Sequence, residues 1–235
     1  MNFQNSRILF VVAHPDDEVL GCGGTIHALA KRYSAEICVA ILGEGITSRD
    51  VVRDQGKRAE ELRQHKSHAE QARQVLGYQK LESFAFADNR FDSFPIIDLI
   101  KVVERLGVEF KPDYVFTHHP GDLNVDHKKT CEAVLTAFRP LPDTNVRGIF
   151  CFETLSSTEW AFNTDRTGFR PNFFFPLTPE DLEKKIEAME CYSFEVRPSP
   201  HPRSSAVMRA QAQLNGSRVG YENAEAFEVV RHVYK

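Results

Sequence analysis

Two short stretches concentrate imidazole and carboxylate groups beyond anything packing requires. The first is His14-Pro15-Asp16-Asp17-Glu18, and the second is His118-His119-Pro120-Gly121-Asp122-Leu123-Asn124-Val125-Asp126-His127. Histidine and carboxylate are ligands of catalytic zinc, which commonly takes three groups from the protein and leaves a position open. His14 and Asp17, three residues apart, are close enough to chelate from one turn. His127 would complete the set from a distant segment. Asp16 is adjacent to Asp17 but not needed as a ligand, so it is free to accept a proton from water. The chemistry expected is metal-assisted hydrolysis. Two His and one Asp also suit Fe(II), Co(II) or Mn(II), so zinc is the first expectation rather than the sole one.

The flanking sequence says which elements must bring these groups together. Arg7 to Ala13 is continuously apolar and β-branched, the pattern of a parallel strand buried on both faces. A helix is expected to follow to about Tyr33, with Asp16, Asp17 and Glu18 near its first turn, where the helix dipole favours negative charge. Strands are expected at Glu36 to Leu42, Leu81 to Phe86, Asp113 to Thr117 and Gly148 to Thr154, with helices at Asp54 to Leu76 and Ile96 to Leu106 between them. The Asp54 to Leu76 helix carries only a thin apolar stripe, and His65 and His68 on it are expected to face solvent. His127 opens a further helix and shares a face with Cys131, Val134 and Phe138, so it points inward. Beyond about residue 155 the order is less regular. Thr178-Pro179-Glu180-Asp181 starts a helix, Arg197 to Arg203 is a proline-rich loop, and a short helix (Ser205 to Leu214) and a strand (Ala226 to Val233) close the chain. Alternating strands and helices imply an α/β, Rossmann-like fold: a mostly parallel sheet with helices on both faces. Ligands bind such sheets beyond the carboxyl ends of the strands, and both His/Asp clusters lie there. A single domain over residues 1–235 is expected, its irregular part from about 155 completing the substrate pocket.

Composition narrows the partners. Twenty-nine basic and 33 acidic residues give a net charge of −4, which argues against nucleic acid as a partner. No run approaches the roughly 20 apolar residues of a membrane span. Five cysteines without short paired spacing suit reduced thiols in a cytoplasmic protein better than a disulfide framework. A homo-oligomer is compatible with all of this.

The pairing of Ala13-His14-Pro15-Asp16-Asp17-Glu18 with Asn124-Val125-Asp126-His127 resembles the LmbE-like (PIG-L) family of zinc-dependent de-N-acetylases. Weaker support comes from Gly21-Cys22-Gly23-Gly24-Thr25, Asp88-Asn89-Arg90-Phe91-Asp92, Pro200-His201-Pro202-Arg203-Ser204 and Ala224-Glu225-Ala226-Phe227. The resemblance implies a Rossmann-like fold and removal of acetyl groups from N-acetylglucosamine-type substrates, free or conjugated. It also implies His14, Asp17 and His127 as ligands, Asp16 as general base and Asp126 behind a neighbouring histidine. The chain departs from the family at Asn124, where many members have a histidine. An amide can donate to an oxyanion but cannot act as an acid, so the proton for the leaving amine would come from Asp16, His118, His119 or His201.

Three residues are candidate substrate contacts: Asp88 and Arg90 on a loop after a strand, and Arg203 in the proline-rich loop. Trp160 and Phe91 are candidates for stacking on a sugar. Gly21 to Gly24 lacks the third glycine of a dinucleotide fingerprint and reads as close helix packing. The alternatives to sugar deacetylation are hydrolysis of another small-molecule amide and a metal- or sugar-binding protein without turnover.

Overall fold

The computed structural model describes residues 1–142, 144–162 and 167–234. Strand β1 (Arg7–Val12) lies in the interior of a seven-stranded sheet, third from one edge. Its neighbours are β2 (Glu36–Gly43) on one side and β4 (Tyr114–His118) on the other, both parallel to it. β3 (Lys80–Phe86) extends the sheet beyond β2, and β5 (Gly148–Phe152) extends it beyond β4. The chain thus leaves β1 through α1 (Asp17–Arg32) to one side. It returns through α2 (Ala59–Leu76), β3 and α3 (Ile96–Phe110) to the other, where β4 leads into α4 (Val125–Ala137). This reversal opens a crevice between the carboxyl ends of β1 and β4, the position at which open α/β sheets bind ligands.

The unbroken apolar character of β1 has a direct cause. Ile8, Phe10 and Val12 pack under α1 and α2, and Leu9, Val11 and Ala13 pack under α3 and α4, so both faces are covered. Phe10, Phe116 and Phe150 stack across three strands with ring centroids 4.8 and 4.7 Å apart. The expected glycine packing is present as well. A Cβ on Gly21 would sit 2.2 Å from the Phe152 ring and one on Gly24 2.6 Å from Leu177, so α1 lies too close to its neighbours for a side chain at either position.

Two elements differ from the sequence expectation. The Asp54 to Arg58 stretch is not helical: Asp54 Oδ1 accepts from Lys57 N and Asp50 pairs with Arg58, so α2 starts at Ala59. Within the stretch expected to be irregular, Phe173–Leu177 forms a strand, β6, at the sheet edge. Pro176 obscures it in the sequence but is tolerated because an edge strand has one unpaired side. Between β5 and β6 lies β7 (Asn223–His232), antiparallel to both. The Thr178 capping box opens α5 (Pro179–Cys191) as expected, and α6 (Ser205–Ser217) follows the proline-rich loop.

Candidate active site

Past the end of β1, the Ala13 amide donates to His118 Nε2 at 2.9 Å, which ties the two clusters together. The other His118 nitrogen lies 3.1 Å from Thr154 Oγ1. Burial, reinforced by the neighbouring His127, pushes the His118 pKa down to about 4, so the ring is neutral. With Nε2 accepting, Nδ1 carries the proton and donates to Thr154. Both nitrogens of His118 are therefore occupied within the fold.

His14 and His127 are oriented otherwise. Each has a carboxylate behind it and turns its other nitrogen toward Asp17. His14 Nε2 lies 2.9 Å from Asp126 Oδ2 and 3.3 Å from Asp88 Oδ1, and its Nδ1 is 3.5 Å from Asp17 Oδ2. His127 Nδ1 lies 3.2 Å from Asp122 Oδ2, off the hydrogen-bonding direction, so that contact is chiefly electrostatic. Its Nε2 is 3.3 Å from Asp17 Oδ2. The backing carboxylates are themselves held. Asp126 accepts from the amides of Asn89 (2.6 Å) and Phe91 (2.9 Å), and Asp122 accepts from the hydroxyls of Ser157 and Thr158. A carboxylate behind each histidine is the arrangement that fixes ring orientation in metal sites.

The electrostatics agree with this picture. Burial lowers the pKa of both rings, but carboxylates outweigh it. Asp126 and Asp17 raise His14 well above its ordinary value, and Asp17 and Asp122 raise His127 to about 9. Burial opposes ionisation of Asp17, yet His127 and His118 hold its carboxyl well below the usual range. The carboxylates around the two rings thus favour positive charge at this point, the charge that a cation would also bring.

Among the described residues three groups bring ligand atoms within 4.8 Å of one another: His14–Asp17–His127, His118–Asp122–His127 and His14–Asp88–Asp126. The second needs His118 nitrogens already engaged by Ala13 and Thr154. In the third, both oxygens of Asp126 already accept backbone amides. The donor set of the first fits a divalent cation, since each ring has a free nitrogen directed at Asp17.

A polar cavity of about 190 Å³ opens beside this group, and it gathers most of the sequence candidates: His14, Asp16, Asp88, Asn124, His127 and Arg203 all line it. Asp17 and Asp126 lie just behind, fully buried. Arg90 and Trp160 are exposed, Phe91 is buried, and all three lie outside the lining. His118, His119 and His201 also lie outside it. A larger cavity, about 780 Å³, between α6 and Phe169–Phe174 contains none of the cluster. Size therefore does not mark the site; convergence of side chains does.

Three ionisable lining residues escaped the sequence reading. His65 is 2% exposed rather than solvent-facing. It sits with Ala69, Ala72 and Leu76 on the one buried stripe of α2, at i, i+4, i+7 and i+11, a signal masked by the helix's polar composition. Arg49 and Glu195 pair with each other from loops far apart in sequence, which no local pattern announces. Asn124 has a firm structural duty: its Oδ1 accepts from Asp126 N at 2.8 Å and caps α4, and its Nδ2 donates to Asn89 Oδ1 at 3.1 Å. Arg203 Nη1 donates to both Asp16 Oδ2 (2.9 Å) and Glu195 Oε2 (2.8 Å), and Nε donates to Ser156 Oγ (2.8 Å).

Known proteins resemble this chain in sequence and in fold. Residues 9–138, more than half the chain, match the family described as PIG-L, GlcNAc-PI de-N-acetylase. The uncharacterized deacetylase YaiS of Escherichia coli K12 is 28% identical over 78% of this chain and 88% of its own. A probable N-acetyl-alpha-D-glucosaminyl L-malate deacetylase of Bacillus anthracis is 25% identical over 81% and 82%. Among solved structures, the N,N'-diacetylchitobiose deacetylase of Pyrococcus horikoshii superposes with a TM-score of 0.74 at 20% identity, over 96% of this chain and 84% of that one. A 4-carboxy-2-hydroxymuconate hydratase from Pseudomonas putida KT2440 does so at 0.75 and 18%, over 98% of each chain. The shared fold alone thus accommodates more than one reaction. Family membership rests on the match that spans both His/Asp clusters: the chain belongs to the PIG-L de-N-acetylase family.

Proposed function

We propose that this protein is a metal-dependent hydrolase that removes the acetyl group from an N-acetylated amino sugar or sugar conjugate, with residues 1–235 forming one catalytic domain. The observation that carries the reading is the convergence of His14 Nδ1, His127 Nε2 and Asp17 beside Asp16 at a polar cavity. His14, Asp17 and His127 would hold the ion, zinc by first choice. Bound there, a zinc ion supplies Lewis acidity that polarises an amide carbonyl and makes water a usable nucleophile near neutral pH.

The remaining work falls to the chain's own groups. Asp16 lines the cavity, and burial keeps its pKa well above the ordinary carboxylate value, Arg203 opposing and Asp17 reinforcing the shift. It takes a proton from water as the oxygen attacks the acetyl carbon. The same proton returns to the nitrogen as the C–N bond breaks, releasing acetate and a free amine. Asp16 is favoured for both transfers because His118, His119 and His201 do not line the cavity. Asn124, with one Nδ2 hydrogen still uncommitted, aids the oxyanion at most modestly. Asp126 and Asp122 act through His14 and His127 by fixing their rings. The small polar cavity suits an acetamido group and the ring that bears it, with Asp88 available to a hydroxyl and the rest of a conjugate lying outside. Five free cysteines accord with a cytoplasmic setting.

The test is metal analysis of the purified protein together with acetate release from N-acetylglucosamine, its malate glycoside and N,N'-diacetylchitobiose. Acetate from at least one, lost on chelation and restored by metal, is the expected result. Stoichiometric metal with no acetate from any would leave a binding protein instead.

A further inference from the structure

Asp16 stands at the N-cap position of α1, where an aspartate ordinarily folds its carboxylate back onto the free amides of the first turn. Here it makes no such bond. Its backbone takes φ 104° and ψ −25°, a conformation that costs a non-glycine residue on the order of 1–3 kcal/mol. Its Oδ2 accepts instead from Arg203. The carboxylate has therefore been drawn away from its local partner by a side chain 187 residues further on.

Arg203 is itself fixed through its backbone and its side chain. The Arg203 amide donates to His201 Nδ1 at 3.1 Å, Nε holds Ser156, and Nη1 is shared between Asp16 and Glu195. Glu195 is the hub behind it: Arg49 donates to its Oε1, and His65 Nε2 lies 3.5 Å from the same oxygen. Because Nη1 divides between two carboxylates, Arg203 engages only one oxygen of Asp16.

We propose that Arg203, seated by Glu195 and Ser156, is a positioning residue that holds the Asp16 carboxylate out of the helix cap and directed into the cavity, rather than a residue that binds substrate. The proposal rests on Asp16 as the proton-transfer group. It makes Glu195, which lies outside both His/Asp motifs, part of the same apparatus. The proline-rich loop then serves to deliver a guanidinium to the first turn of α1.

Crystal structures and kinetics of metal-loaded Arg203→Met and Glu195→Gln test it, with N-acetylglucosamine and N,N'-diacetylchitobiose as substrates. In Arg203→Met the Asp16 carboxylate should turn onto the first-turn amides, and kcat should fall about 10²-fold with KM within about twofold and full metal content. Glu195→Gln should move both readouts in the same direction by less, and it serves alone if Arg203→Met does not fold. Arg203→Lys should not rescue, since a lysine cannot reproduce the forked contact. A raised KM with unchanged kcat would make Arg203 a substrate contact and overturn the proposal. So would an unmoved Asp16 in either structure. If the wild-type protein deacetylates neither sugar, the functional reading fails, and the position of Asp16 in the variant structures still decides this one.

Discussion

Helix α1 is flanked by two buried charge clusters, and they differ in one respect. At its start, His14, Asp17 and His127 converge with ring nitrogens that point at one another and at the cavity edge. Along its later turns, Lys185 donates to Leu20 O (2.8 Å) and Glu225 (2.5 Å), and Glu225 also accepts from the amides of Gly24 and Thr25. Asp181 likewise takes His27, Arg32 and Thr178. Every charge in the second cluster is closed by its own set of partners, whereas in the first, two imidazole nitrogens converge on one oxygen of Asp17, at 3.5 and 3.3 Å, beside the cavity. Burial of charge is common to both, so burial does not identify a site. Ligand atoms converging beside a cavity do.

The sharpest way to break this comparison is to remove a converging group. His127→Ala should lower metal affinity by more than about 10²-fold, since even the residues behind metal-bound histidines are worth 10–100-fold. Turnover should drop to background, measured alongside metal content after gel filtration. Asp16→Asn should keep its metal and lose about 10³-fold in kcat, within the range for a general base. Near-normal turnover in that variant would remove Asp16 from the mechanism.

The closed cluster should respond in stability and not in chemistry. Lys185→Met strands Glu225 in the interior with two amides and no counter-charge, and breaking a buried pair in this way costs about 3–5 kcal/mol. Urea unfolding should register that loss while metal content and kcat per folded molecule stay unchanged. Adding Glu225→Gln removes the stranded charge and should recover part of it.

Sequence made the first cluster legible because its members sit in two runs, each beyond an apolar strand, and strand order does the rest. Pairing β1 directly with β4 carries His14 to His127 across more than a hundred residues. The fold was legible for the same reason: four of the five parallel strands, β1, β2, β4 and β5, are buried almost throughout and announce themselves as apolar runs, while β3 at the sheet edge is only half-buried. What stayed hidden depends on groups that meet only in three dimensions. Glu195, Arg49 and Arg203 come from three loops, and nothing local says they share a carboxylate. His65 was hidden by the exposed neighbours around it. Asn124 read as a departure at the reaction centre, yet its first duty is to cap α4, a role that asparagine fills well at any helix start.

Asp181 offers a pH test of the closed cluster. Burial raises its pKa, but His27, Thr178 and Arg32 outweigh that and hold the carboxyl below its ordinary value of 3.8. As pH falls, the unfolded chain therefore takes up the proton first. The stabilisation is complete above about 3.8 and fades as pH drops through the lower folded value. Asp181→Asn should cost about 1–2 kcal/mol at neutral pH and flatten the acid limb of a plot of unfolding free energy against pH. An unchanged acid limb would mean the cluster does not hold Asp181 ionised.

The smallest effect should come where the two kinds of duty meet. Asn124 contributes Oδ1 to the cap of α4 and Nδ2 to Asn89, leaving one hydrogen toward the cavity. Asn124→Ala should cost about 1 kcal/mol of stability for the lost cap and no more than about tenfold in kcat. Asn124→Ser separates the contributions, because a serine hydroxyl caps a helix about as well as asparagine but lacks the amide hydrogens. If the serine variant regains stability without regaining kcat, the remaining Nδ2 hydrogen acts on the reaction. If kcat returns together with stability, Asn124 serves the site only by starting the helix that carries His127.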